Sequence, residues 1–162
     1  MPNNWFDDFY KIYIEQRSEF IDKLVSFVAQ DTILFLDDCK GASEKIKEVN
    51  QLLGTNFLIC EGIEVKEQNL IERDKVAVYL NSISLEKAAL IYLVATEIRS
   101  VLSAILFAEV KISATDLFNL TFYEELEQQK VWGITDEIVY RHSQIKERLS
   151  YLEKVRNERS LS

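Results

Sequence analysis

The sequence predicts an all-α fold, an orthogonal multi-helix bundle of about six or seven helices with at most one short extended element. Three observations carry this prediction. Only four Gly and one Pro occur in 162 residues, which favours long helices joined by short turns over a sandwich or barrel. Hydrophobic residues make up 48% of the chain, enough for a real core at this length. Apolar residues recur at helical spacing along most of the sequence. No internal repeat or low-complexity linker interrupts them, so residues 1–162 read as a single helical domain.

The elements follow in order. Asn3 to about Tyr13 is aromatic-rich and helical. Glu15 to Val28 carries the stripe Phe20, Ile21, Leu24, Phe27 and Val28. The apolar run "TILFL" passes into the polar turn "DDCKGAS". There Gly41 and Ser43 suit the start of a helix from about Glu44 to Leu53. Gly54 is placed to end that helix as a left-handed cap. "NFLICEG" is too short for a helix and reads as extended. Glu67 to Asn81 is the next helix, with Leu70, Ile71, Val76, Val78 and Leu80. Ser84 is an N-cap with Glu86 in the first turn, and a long apolar helix runs from it to about Glu109. Ser113 to Asp116 resembles a capping box and opens a helix from Leu117 to about Lys130. Gly133 breaks that helix. Thr135 caps the last one, Asp136 to about Arg156, whose stripe is Ile138, Val139, His142, Ile145, Leu149, Leu152 and Val155.

Charge and motif content narrow the function. A formal net charge of −8 argues against nucleic-acid binding, and "KVRNERS" is the one local basic run. Cys39 and Cys60 sit in apolar surroundings and read as reduced thiols rather than a disulfide framework. The start "MPNNWFDDFY" has no basic segment before an apolar run, so it does not read as a signal peptide. Glu97 and Arg99 near the middle of the apolar stretch argue against membrane insertion. His142 is the lone histidine and lies on the apolar side of the last helix, where a satisfied core histidine is expected. Neither metal-ligand spacing nor a glycine-rich phosphate loop is present. The expectation is therefore no enzyme, no metal and no cofactor.

One carboxylate stands out by position. Phe118, Phe122 and Glu125 are spaced i, i+4, i+7, and Gln128 and Trp132 extend the line. A carboxylate desolvated there needs a partner. Glu125 is either half of an ion pair, with Arg99 or Arg141, or a group at the rim of a binding groove beside exposed aromatic surface. A small enzyme using Glu125 or Glu137 as acid/base, and a generic helical adaptor, are the alternatives to a partner-binding role.

These residues resemble a known family. Tyr123-Glu124-Glu125, Gln128, Trp132-Gly133 and Glu137 are similar to the pattern of the F-type ATP synthase assembly chaperones that act on the alpha subunit, in their C-terminal helical domain. The apolar helix from Ser84 with its small-residue segment at Ser100, the segment Ile21 to Phe35 with Asp31, and Val49 to Ile63 ending in Glu61-Gly62-Ile63 extend the likeness over about Arg17 to Arg148. The chain departs from the pattern at Lys130 and Thr135, where the family has acids, and at Val110, where it has Gly. The family's N-terminal, mostly β domain has no counterpart here, so the expectation is the helical domain alone.

The resemblance implies a chaperone that binds the free alpha subunit and shields its subunit interface. Partner-binding residues would be Glu125, Gln128, Trp132, Gly133 and Glu137. Gln128 would bond the partner or orient Glu125, and Gly133 would set the angle between the last two helices. Trp132 is open to two readings, contact anchor or core plug, and Glu137 to two, contact or helix-dipole carboxylate. The expected compartment is the bacterial cytoplasm, or the mitochondrial matrix for a eukaryotic chain.

Overall fold

The apolar stretch after Ser84 folds as two helices, not one. α5 (Leu85–Ile98) ends where Arg99 turns left-handed, at φ 58°, and Ser100 is extended before α6 (Val101–Ala108). The computed structural model describes residues 4–35, 40–58 and 70–159. Within them, α5 and α6 form the centre, and all eight residues of α6 are buried. Around this pair lie α1 (Trp5–Glu15), α2 (Arg17–Phe27), α3 (Lys40–Leu53), α4 (Leu70–Ser82), α7 (Ala114–Thr121), α8 (Tyr123–Trp132) and α9 (Asp136–Arg159). Two 3-10 turns, Val28–Gln30 and Thr32–Phe35, join α2 to α3.

The break at Arg99–Ser100 has no Gly or Pro to announce it. Its cause is distant. The Asp31 carboxylate is fully buried at the N-terminus of α6, where it accepts from the Ser100 hydroxyl at 2.6 Å and the Leu102 N–H at 2.8 Å. It also accepts from the Ile33 N–H at 3.1 Å, which holds the 3-10 turn in place. Ser100 Oγ in turn accepts from the Ser103 N–H at 3.1 Å. The first N–H groups of a buried helix need such acceptors. Arg156 serves the other end: its Nη1 donates to the carbonyls of Phe107 at 2.9 Å and Ile112 at 3.2 Å, while the guanidinium lies over the Phe107 ring. A second buried charge, Lys87 on α5, pairs with Glu109, which also accepts from the Tyr79 hydroxyl. Burial and the Glu109 carboxylate push the Tyr79 hydroxyl pKa upward.

Among the described residues there are nine α-helices and no strand, against the six or seven expected. The excess comes from long helices that are each two. The stretch 117–130 divides at Phe122 (φ −102°), between α7 and α8. The first helix after "DDCKGAS" begins by Lys40 rather than at Glu44, with Gly41 and Ser43 inside its opening turns. Of the segment expected to be extended, Asn56 to Leu58 form neither helix nor strand, and 59–62 lie outside the described residues, as do Cys39 and Cys60. Ile71 and Val78 on α4 and Val139 on α9 face outward, although they continue an apolar spacing. Arg156 is buried instead, because its guanidinium finds carbonyls to cap.

The other caps are where the sequence places them. Ser84, Ser113 and Thr135 accept from the N–H groups of Lys87, Asp116 and Ile138. Gly54 is left-handed at φ 66°. Val110, at the site where the resembled family has Gly, is also left-handed, at φ 60°. It ends α6 in a Schellman motif, with Lys111 N–H to Leu106 O at 2.8 Å and Val110 N–H to Phe107 O at 3.1 Å. A β-branched residue is strained there.

Val110 is 64% exposed, so Val110→Gly loses little packing and is expected to stabilise the protein by about 1 kcal/mol in urea unfolding. Burial raises the Asp31 pKa from 3.8 to about 6, outweighing the Ser100 hydroxyl and the backbone donors of Leu102, Ile33 and Val101. Between those values the folded state binds more protons than the unfolded state, so this group's contribution to stability falls as pH rises. Compared with Asp31→Asn, the wild type is expected to lose up to about 3 kcal/mol of its relative stability between pH 4 and pH 6, then to level off. A difference that grows over that range would contradict the assignment.

Candidate functional site

The site lies where α7, α8 and α9 meet the C-terminal end of α5. Phe118 and Phe122 stack with ring centroids 4.6 Å apart, and both meet the edge of His142 on α9, at 5.2 and 5.6 Å. This aromatic clasp buries His142 and fixes α7 against α9. One turn further on, Glu125 reaches the same histidine: Nε2 lies 3.0 Å from Glu125 Oε1, and the Arg141 guanidinium bonds the same oxygen. Of the two cations considered for Glu125, the partner is Arg141, not Arg99.

Burial, then the charges of Arg141 and Lys146, hold the His142 pKa below the usual histidine value. The ring is therefore neutral at pH 7 and donates Nε2–H to the carboxylate. Both donors bond one oxygen, so Glu125 is anchored at the α8–α9 crossing and is a positioning group for that crossing. His142 spends its Nε2–H on this bond and is 6% exposed.

A cavity of about 930 Å³ opens beside this pair, bounded by the 3-10 turn at 32–35, the end of α5, α7–α8 and α9. Its lining alternates in charge. Glu97 on α5 and Arg148 on α9 form an ion pair at 2.8 Å, and Glu124, Glu125, Arg99 and Arg141 add to the wall. Arg99, Glu97 and Arg148 escaped the sequence reading as site residues. Glu97 and Arg99 could have been flagged, because two charges in an otherwise apolar stretch need somewhere polar to point.

Glu125 and Gln128 share this cavity. Gln128 is exposed, and among the described residues no hydrogen bond joins it to Glu125. Trp132 is 85% exposed, which removes the core-plug reading. α8 buries none of its residues, and Val131, Ile134, Val139 and Tyr140 are exposed around the turn that follows it. Glu137 is exposed in the first turn of α9 and makes no ion pair among the described residues, as a dipole carboxylate would. Gly133 has φ 88° and ψ 172°, a conformation reserved for glycine. A Cβ there would meet nothing within 4 Å, so its constraint is torsional.

Among the described residues, no group of three His, Cys, Asp or Glu is placed to hold a metal ion, and no helix is long and apolar enough to cross a membrane.

Gly133→Ala is expected to strain the α8–α9 turn by about 1–3 kcal/mol without touching the core. Amide exchange across residues 123–139 should quicken, while the protection of α5 and α6 stays as in the wild type.

No known protein-family profile matches the chain, and no curated protein sequence is similar to it. Solved structures are similar. Atp12 from Paracoccus denitrificans superposes with a TM-score of 0.82 at 15% identity, over 90% of this chain and 66% of that one. A point mutant of the same organism's Atp12p gives 0.80 at 15% identity, over 88% and 64%. The Atu1473 protein from Agrobacterium tumefaciens gives 0.70 at 17% identity, over 87% and 57%. The chain thus spans less than two thirds of the length of each Atp12 structure by a small margin, and over that span it has the Atp12 fold.

Proposed function

We propose that the chain is the helical domain of a molecular chaperone for assembly of the F-type ATP synthase catalytic sector. It binds the free alpha subunit and shields its subunit interface, acting without catalysis. The observation that carries this reading is the exposed apolar tip at the α8–α9 junction: Trp132 at 85%, Val131 at 74%, Tyr140 at 65% and Ile134 at 62%. A cluster of large apolar side chains left in water marks an interaction surface. A rigid aromatic anchor ringed by polar groups is how interfaces concentrate their energy. The Atp12 fold and the resemblance at Glu125, Gln128, Trp132-Gly133 and Glu137 support the choice of partner. On this reading Trp132 is the anchor, Glu125 fixes the helix that presents it, Gln128 offers an unspent amide, and Gly133 sets the angle. The compartment that goes with this role is the bacterial cytoplasm, or the mitochondrial matrix for a eukaryotic chain.

Trp132→Ala removes the anchor without removing core packing. It is expected to weaken binding to purified alpha subunit by about 2 kcal/mol or more, and to abolish delay of its aggregation, with an unchanged Tm. Glu125→Ala frees Arg141 and His142 and should weaken binding less, with a lower Tm. A wild-type protein that neither binds the alpha subunit nor delays its aggregation would remove this reading and leave a helical adaptor for another partner.

A further inference from the structure

The proposed role leaves the Arg99 side chain unexplained. It is held left-handed, where a non-glycine residue is disfavoured, and its backbone duties do not require an arginine. Its N–H donates to Ala95 O at 2.8 Å and its carbonyl accepts from Thr32 Oγ1 at 3.0 Å; glycine would do both without strain. Its guanidinium makes no ion pair among the described residues, although Glu97 and Glu125 line the same cavity, each already held by another arginine.

Arg99 also lines a second pocket. This one lies between α2 and α5, has a volume of about 280 Å³, and is walled by Leu24, Phe27, Tyr92 and Ala95. Its charged lining residues are Lys23 and Arg99. Lys23 likewise makes no ion pair among the described residues, even with Glu19 and Asp22 beside it on α2. Two cations without an ion pair among the described residues therefore line one apolar slot, on a protein whose net charge is −8.

We propose that the α2–α5 pocket binds an extended peptide segment of a protein partner, taking one apolar side chain into the slot and an adjoining carboxylate onto Arg99 and Lys23. Charge complementarity sets the acid, and the slot's volume, about that of one or two aliphatic side chains, sets the apolar residue. The guanidinium is the specific contact because it can grip a carboxylate through two parallel N–H groups. The strain at Arg99 is then a local functional expense, of the kind found at binding sites. This surface is separate from the Trp132 tip and holds whichever subunit the chain serves.

The test uses fluorescein-labelled peptides in anisotropy titrations at low salt. One carries an internal Leu-Glu flanked by Gly and Ser and ends in an amide; its counterpart carries Leu-Gln. A third ends in Leu with a free carboxylate, against its own amide. At least one acid-bearing peptide should bind saturably, and at least tenfold more tightly than its neutral counterpart. The arm that binds tells a side-chain acid from a chain terminus. Arg99→Gln should abolish that preference. Lys154→Gln, an equal charge change on α9, should leave it intact.

Arg99→Gly separates function from folding: it should raise Tm by about 2–5 °C while weakening the peptide as Arg99→Gln does. Absence of saturable binding up to 1 mM peptide would overturn the proposal. So would equal affinity for acid and neutral peptides, saturable binding of decanoate with none of the peptides, or a fall in Tm for Arg99→Gly.

Discussion

A single buried carboxylate decides the geometry of this protein. Asp31 arrives from the α2–α3 connection and takes the N-terminus of α6, 71 residues away from Leu102 in sequence. Without an acceptor there, the stretch from Leu85 to Ala108 has every local reason to be one straight helix. With it, Ser100 becomes an N-cap, Arg99 turns left-handed, and α6 leaves α5 at an angle that lets it fill the centre of the bundle. Arg156 closes the opposite end of α6 from the last helix. Both charges are desolvated, and for Asp31 burial outweighs its donors. Their contribution is the choice of one arrangement over the alternatives, more than net stability.

The candidate site inherits that choice. Glu97 sits in the last turn of α5, just before Arg99, where Arg148 of α9 holds it, and this ion pair lies in one wall of the large cavity. The Phe118–Phe122–His142 clasp and the Glu125–Arg141 pair then carry order outward from the core into α8. Beyond them, nothing among the described residues covers the tip, so α8 is held at its base and apolar at its end. A fixed helix ending in an uncovered Trp suits reversible capture of a partner: the anchor is oriented before binding, and little ordering is left to oppose it.

Much of this was legible in the sequence, for physical reasons that differ by level. The helical class follows from spacing and from the scarcity of Gly and Pro. The caps at Ser84, Ser113 and Thr135 are local chemistry and read directly. Glu125 was conspicuous because a carboxylate in line with Phe118 and Phe122 needs a partner, and Arg141 is that partner. The breaks at Arg99 and Phe122 were not legible. Helical spacing runs through both, and the groups that enforce the first, Asp31 and the Thr32 hydroxyl, come from a distant segment. Burial of Arg156 and Lys87 was hidden for the same reason, since charged side chains go inside only where tertiary structure supplies carbonyls or a carboxylate. The exposure of Trp132 could not be told from spacing, which serves a core plug and a contact anchor equally well.

The proposed role requires the α8–α9 tip to be the face that meets the alpha subunit. Hydrogen exchange of the chain, measured with and without purified alpha subunit, tests this directly. Protection gained across residues 123–141, with α3 and α4 unchanged, is the predicted result. Binding that protects α3 and α4 and leaves 123–141 exchanging as in the free protein would contradict it.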